Sequence, residues 1–326
     1  MVRLLVAIPC KDEVAMIGEV VRRIPTDIAG IDVIDVLVVD DGSVDGTATE
    51  ATSAGARVMH HTTNWGVGVA FQSAVEAALS GGYDLLVTLD GDGQFRPEEI
   101  PAVCAPVLSA SSDAATGSRF LDRSSVHGMP RSKRLGNHLM SWLVSRLTGD
   151  RYRDVSCGFR CFGTEALLRM NIHGGFTYTQ EVFLDLAANR LTIAEVPITV
   201  QYFEGRQSRV ASSLWLYGLR SAAILARGFR DYFPLRFFWG LAVLPLAGAT
   251  GFGALFVAKF VQTGRFTGYL FAGYTSAFLV AVALTLMLVG LLADMVVRVR
   301  KNQERTLLLL RRDRHAAARC NFSERC

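Results

Sequence analysis

Histidine and cysteine are scarce in this chain, at six residues each among 326. Cys157 and Cys161 stand four apart, but no second Cys or His pair has matching spacing, which argues against a structural zinc site. His60 and His61 are neighbours whose side chains diverge on a strand or a helix, so they make poor co-ligands. The cysteines at positions 10, 104, 157, 161, 320 and 326 follow no disulfide framework, and a reducing compartment would keep them as thiols. There is no low-complexity tract and no internal repeat, which excludes solenoids and arrays. The first apolar stretch, Leu4–Pro9, is too short for a signal peptide and runs into charges. The first half also lacks a convincing His–Asp pair for general-base work.

Charge is missing from two long stretches. Phe237–Ala258 runs for 22 residues and Phe266–Ala293 for 28 without a charged residue. A bilayer core needs roughly 20 helical residues, so both can span, and glycines and Pro245 are tolerated inside such helices. They lift the composition to 50% hydrophobic and the mean hydropathy to +0.28. Arg220, Arg227, Arg230 and Arg236 precede the first stretch, and Arg298, Arg300, Lys301 and Arg305 follow the second, against only Lys259 and Arg265 between them. The positive-inside rule then puts both termini in the cytoplasm. The net charge of +4 reads as attraction to anionic lipid, not to nucleic acid. The expected organisation is an α/β domain over residues 1–210, a juxtamembrane interfacial helix over 211–235, two spans over 236–297 and a basic tail over 298–326. The last twenty residues, basic and alanine-rich, read as disordered.

Within 1–210 strand and helix signals alternate. Arg3–Pro9, Val33–Val39, Arg57–His60 and Leu85–Leu89 read as strands; Glu13–Ile24, Thr47–Gly55 and Gly66–Ser80 read as helices between them. That alternation implies a mainly parallel sheet with helices on both faces, with ligands at the carboxyl ends of the strands. Three polar clusters fall there: Pro9–Glu13, Asp40–Ser43 and Asp90–Gln94. In the last, Asp90, Asp92 and Gln94 alternate, so their oxygens can converge on one hard cation, Mg²⁺ or Mn²⁺. A cation held by so few protein oxygens suits a phosphate-rich substrate that completes its shell. Further on, Ala114–Ser118 reads as a strand delivering Arg119, Arg131–Leu147 as a basic-to-amphipathic helix, Glu165–Met170 and Gln180–Asn189 as helices, and Leu191–Val200 as a strand.

Six motifs occur in the order and spacing of a known family. They are Val38-Val39-Asp40-Asp41-Gly42-Ser43, Asn64-Trp65-Gly66-Val67-Gly68-Val69-Ala70, Asp90-Gly91-Asp92-Gly93-Gln94, Gly117-Ser118-Arg119, Asp154–Arg160 and Glu195-Val196-Pro197-Ile198. The chain resembles GT-A glycosyltransferases, and most closely the membrane-anchored polyprenyl- and dolichyl-phosphate sugar synthases. The resemblance implies that Asp41 holds the donor nucleotide, with Pro9 and Glu13 near its base and ribose. It implies that Asp90, Asp92 and Gln94 bind metal and diphosphate, that Arg119 binds phosphate, and that Glu181 faces the site. Ser208 and Arg209 resemble a Ser-Lys pair on a closing loop. The chain departs from the pattern where Lys11 and Asp12 replace an aromatic and an Asn. Lys133 stands where a Ser is usual, which leaves Arg131 and Arg134 both open for the acceptor phosphate. Phe203 replaces an arginine, with Arg206 nearby in its stead.

The implied partners are a GDP- or UDP-linked sugar, a polyprenyl phosphate and the membrane; a homo-oligomer stays open. The implied reaction is one inverting displacement yielding a lipid-phosphate-linked sugar. A lipid phosphate is already anionic and needs no strong base, in keeping with the missing His–Asp pair. Three rivals are weaker. A processive polysaccharide synthase would carry Gln-x-x-Arg-Trp and more spans. A non-catalytic membrane subunit would leave the acidic strand ends unexplained. A nucleotidyltransferase would show a glycine-rich basic loop after the first strand.

Overall fold

The computed structural model describes residues 1–121, 129, 131–172, 178–201, 226–227, 229–231, 233–265 and 269–323. They form two compact units, one of Met1–Leu225 with Thr306–Cys326 and one of Ala226–Arg305.

The first unit is built on a seven-stranded sheet: β1 (Arg3–Cys10), β2 (Val33–Asp40), β3 (Arg57–His60), β4 (Leu85–Thr88), β5 (Ala114–Ser118), β6 (Arg160–Gly163) and β7 (Ile193–Pro197). The order is β3-β2-β1-β4-β6-β5-β7. All pairings are parallel except those of β6, which runs against β4 and β5. Helices α1 (Val14–Arg22), α2 (Thr47–Ser53), α3 (Val67–Ser80), α4 (Ile100–Leu108), α5 (Arg131–Thr148), α6 (Thr164–Arg169) and α7 (Thr179–Ala188) connect them.

β1 is central and wholly buried, so it reads as an unbroken apolar run. Its alternate residues feed two separate cores. Leu4, Val6 and Ile8 pack with α1 and α4 on one face. Leu5 and Ala7 pack with α3, α6 and α7 on the other. Burying each such Leu, Val or Ile is worth roughly 1.5–3 kcal/mol. In α1, Ile17, Val20 and Val21 fall at helical spacing and are buried. In α3, the small residues Ala70, Ala74, Ala77 and Ala78 are buried beside Phe71, a composition that lets helix and sheet approach closely. β2 and β3 lie on one side of β1 and β4 on the other, so the direction in which the sheet is built reverses at β1. The crevice between the carboxyl ends of β1 and β4 is the switch point where ligands bind in such sheets.

The second unit holds α8 (Pro234–Thr263) and most of α9 (Leu270–Ser323). Both are long and apolar enough to cross a bilayer, with mean hydropathies of 1.9 and 2.5 in their most apolar stretches. Pro234 opens α8 at a position where its missing N–H costs nothing. Gly264 closes it in the left-handed conformation, at φ +63°. The two helices touch through small residues: Ser276 Oγ donates to the Ala249 carbonyl at 2.8 Å, and a Cβ on Gly253 would lie 3.0 Å from that same Oγ. Close approach at Gly, Ala and Ser is the usual packing of membrane helices.

One expectation changes and another is left open. The last residues are not a disordered tail: α9 continues to Ser323, and its stretch from Thr306 belongs to the first unit. The interfacial helix expected over 211–235 falls largely outside the described residues.

Candidate active site

The three predicted clusters meet at the carboxyl edge of the sheet, and hydrogen bonds stitch the first two together. Asp41 N donates to Cys10 O at 2.9 Å, Asp12 N to Ser43 Oγ at 2.8 Å, Val44 N to Asp12 Oδ1 at 2.9 Å and Glu13 N to Thr47 Oγ1 at 2.8 Å. Asp12 sits at φ +48°, a left-handed geometry that Asp tolerates better than most residues. Glu13 precedes α1, its carbonyl accepting from Ile17 N at 2.9 Å. Pro9 is buried in β1, opposite Val39.

The adjacent acids of β2 serve as pins. Asp40 accepts from Ser43 N at 3.0 Å and lies 2.8 Å from His60 Nδ1. Asp41 accepts from Trp65 N at 2.9 Å and Gly66 N at 2.7 Å, and lies 2.9 Å from His61 Nδ1. So two His–Asp pairs do form in the first half, contrary to the sequence reading. They come from the parallel register of β2 and β3, which sets Asp40 opposite His60. Both hold loops in place. Asp41, the expected donor ligand, shapes the turn that starts α3, and Gly42 lets the backbone at Thr63 and Asn64 come close enough.

Asp90 and Asp92 follow β4. A Cβ on Gly158 would lie 2.9 Å from Asp90 Oδ1, so Gly158 leaves the room that the carboxylate occupies. Burial, and then the neighbouring Asp92, push the Asp90 carboxyl up to about 7; Arg119 and Arg160 pull in the other direction. Asp92 Oδ1 accepts from Gln94 N at 3.0 Å, and the Gln94 carbonyl accepts from Gln201 N at 2.9 Å. A buried carboxyl whose charge is opposed by burial and by a second carboxylate favours a cation beside it. Among the described residues no three His, Cys, Asp or Glu side chains cluster as a complete metal site. Two carboxylates and an amide after one strand are oxygen donors of the kind a hard divalent ion takes.

Arg119 leaves β5 and forks onto Asp154, Nε at 2.6 Å and Nη2 at 2.8 Å. Asp154 is fully buried and Arg119 is 15% exposed. Glu195 orders the same loop by accepting from Arg153 N and Asp154 N, both at 2.9 Å. Sequence reasoning gave these acids no role, although both lie in quoted motifs. It also passed over Arg160, which is 1% exposed. Its Nη2 donates to the carbonyls of Val155 at 3.1 Å and Thr179 at 2.8 Å, and its guanidinium lies over Phe183. Burial lowers its pKa, yet it supplies positive charge behind Asp90. Glu181 lies in the first turn of α7, half-buried. Arg134 is exposed near the start of α5, where Arg131 is the first residue. Arg206, Ser208 and Arg209 lie outside the described residues. A cavity of about 680 Å³ at the opposite edge, lined by Arg3, Arg57 and Tyr83 among others, contains none of these groups.

Comparison with known proteins matches residues 5–174 to the family model described as glycosyl transferase family 2. The polyprenol monophosphomannose synthase of Mycolicibacterium smegmatis is 29% identical over 190 residues, 55% of this chain and 71% of that protein. The UDP-N-acetylglucosamine–dolichyl-phosphate N-acetylglucosaminyltransferase of Methanococcus voltae is 32% identical over 152 residues, 46% of this chain and 61% of that protein. Among solved structures, glucosyl-3-phosphoglycerate synthase from Mycobacterium tuberculosis with UDP superposes at a TM-score of 0.55. It is 22% identical, with 69% of this chain and 79% of that chain covered. The same enzyme has been crystallised with Mn²⁺, UDP-glucose and phosphoglyceric acid.

Proposed function

The chain belongs to glycosyl transferase family 2, and on that premise we propose that it transfers a sugar from a nucleotide-sugar donor to a polyprenyl or dolichyl phosphate. Residues 1–210 form the catalytic domain in this reading, and 236–297 anchor it in the membrane with both termini cytoplasmic. The observation that carries the proposal is the pair Asp90 and Asp92, adjacent to a buried arginine at the switch point of the sheet. Relatives named for polyprenol and dolichyl phosphate acceptors support the acceptor class.

In the reaction an oxygen of the lipid phosphate attacks the anomeric carbon from the face opposite the diphosphate. The carbon–oxygen bond to the diphosphate breaks, and its electron pair leaves with the nucleotide, inverting the centre. A divalent ion held by Asp90, Asp92 and Gln94 would offset the charge gathering on that leaving group. Arg119, placed by Asp154, and Arg160 behind Asp90 add fixed positive potential. Asp40 and Asp41 hold the loops that form the walls of the donor crevice, beside Pro9 and Glu13. Arg131 or Arg134, with Arg206, Ser208 and Arg209, receives the acceptor phosphate in this reading, and Glu181 lies on the helix taken to face the site.

The test is a panel of GDP- and UDP-linked sugars, mannose and N-acetylglucosamine included, each incubated with polyprenyl phosphate and Mn²⁺ or Mg²⁺ and read by mass spectrometry of the lipid. One sugar-phosphate-lipid should form, and chelator should stop it. Asp92→Ala should lose most turnover and keep its thermal melting point. Full activity in that variant, or in excess chelator, would remove the metal from the reading.

A further inference from the structure

The loop between β3 and α3 carries an exposed tryptophan on a rigid base. Trp65 is 53% exposed, whereas His61 beneath it is 5% exposed. The two rings stack with centroids 4.7 Å apart and planes 29° from parallel. His61 is fastened at both nitrogens, Nδ1 lying 2.9 Å from Asp41 Oδ1 and Nε2 3.0 Å from Ser73 Oγ. The backbone under the indole is fixed as well, because Trp65 N donates to Asp41 Oδ1 and Gly66 N to Asp41 Oδ2. Gly42 closes in from the β2 side, where a Cβ would lie 2.7 Å from the Thr63 carbonyl carbon. One face of the indole is covered by His61, and the other is open to solvent.

Trp65 stands where one part of the donor has to lie. β3, β2, β1 and β4 are neighbours in that order and run parallel, so their carboxyl ends share one edge. In the proposed function the carboxylates after β4 mark the donor diphosphate. Neighbouring strands sit about 4.8 Å apart, so the ends of β2 and β3 are about 10 and 14 Å from the end of β4. A nucleoside extended from a diphosphate at β4 crosses β1 with its ribose and brings its base over β2 and β3. The transferred sugar lies on the other side of the diphosphate, toward Arg119. A carboxylate has about four acceptor sites. Those of Asp41 take two partners on Oδ1 and one on Oδ2 among the described residues, which leaves an acceptor for an N–H on the edge of a base. Among the described residues of the loops after β1, β2 and β4, no Phe, Tyr or Trp is exposed; Phe95 is buried. Trp65 is the aromatic face that this edge offers.

We propose that the outer face of the Trp65 indole stacks on the nucleobase of the donor, with His61 and Asp41 as its supports. The inference rests on the proposed function for the presence of a nucleotide sugar and not for the acceptor. Every base has a π-face, so stacking of this kind contributes affinity with little choice of base. The choice between guanine and uracil falls to the polar edge.

The test titrates the full chain in detergent micelles with Mg²⁺ by calorimetry, using GDP, UDP and, as a probe without a base, inorganic pyrophosphate. Trp65→Ala should bind the preferred nucleotide roughly tenfold to a hundredfold more weakly. It should bind pyrophosphate as the wild type does and melt at the wild-type temperature. Trp65→Phe should recover most of the affinity. Nucleotide should quench the indole emission of the wild type and leave that of Trp65→Phe, which keeps Trp142, Trp215 and Trp239, nearly unchanged. In turnover Trp65→Ala should raise the donor KM by the same factor and keep kcat, the signature of lost uniform binding. Unchanged nucleotide affinity in Trp65→Ala would overturn the proposal. So would an equal loss for pyrophosphate, which would make Trp65 a brace for its loop, and so would a wild type that binds neither nucleotide. If no sugar reaches polyprenyl phosphate while Trp65→Ala still weakens nucleotide binding, the acceptor reading fails and this one stands.

Discussion

Asp90 occupies a position where keeping its charge costs the folded chain. Its folded pKa is raised to about 7, so stability is full below the ordinary carboxylate range and is lost as pH rises through 7. Asp90→Asn should therefore gain thermal stability over the metal-free wild type at pH 8, by something of order 1–4 kcal/mol. The gain should shrink toward pH 4, and turnover should fall. A melting curve for both proteins across that range checks it; equal melting temperatures at pH 8 would contradict the burial argument. Arg119 poses the opposite case. Arg119→Ala would strand the buried Asp154 carboxylate, a loss of about 3–5 kcal/mol. Arg119→Lys keeps the charge without the fork and should fold better while regaining only part of the activity. An Arg119→Ala/Asp154→Ala double variant should melt higher than the sum of its two single losses allows. The acids of Asp90–Gln94 were legible because they end an apolar strand. Arg160 and Gly158 were not, because what defines them is proximity to Asp90 across 68 or more residues of chain.

Among the elements, those with strong local pattern were readable: β3 and β5 run as expected, and the other strands and helices expected within residues 1–210 shift by one to three residues at their ends. β6 was missed. It is four residues long with Arg160 at its head, and antiparallel pairing between β4 and β5 has no signature in so short a segment. The end of α9 was misread for a different reason. Its anchors are charged side chains whose partners lie far off in sequence. Arg311 Nη1 donates to the carbonyls of Leu168 at 3.2 Å and Met170 at 2.8 Å, at the close of α6. Arg314 pairs with Glu76 at 2.8 Å, and the buried His315 places Nε2 2.9 Å from the Tyr83 carbonyl. Arg311→Ala/His315→Ala should leave those part-buried carbonyls short of donors, at about 1–3 kcal/mol each, and lower the melting temperature by several degrees. An unchanged melt would mean that water replaces both donors.

For the molecule as a whole, the arginine imbalance around α8 and α9 gives a topology that can be checked chemically. A cysteine at Gln262 should react with an impermeant reagent from outside, whereas the exposed native Cys320 should react only after permeabilisation. The reverse order would invert the chain. The four buried thiols, Cys10, Cys104, Cys157 and Cys161, should stay silent. The docking of α9 also bears on the order of synthesis. Arg319 Nη1 meets Asp84 at 2.8 Å and its Nη2 donates to the Met1 carbonyl at 3.4 Å, while Phe322 lies under the Arg3 guanidinium at 3.7 Å. The first strand thus receives part of its covering from residues that leave the ribosome after both apolar helices. At about 5–20 residues per second, the nascent domain waits roughly 6–25 s between the end of its sheet and the arrival of that segment. The apolar helices are therefore exposed before the sheet has its full covering, and a chain cut short after Arg305 would leave the amino edge of the first strand without Arg319 and Phe322.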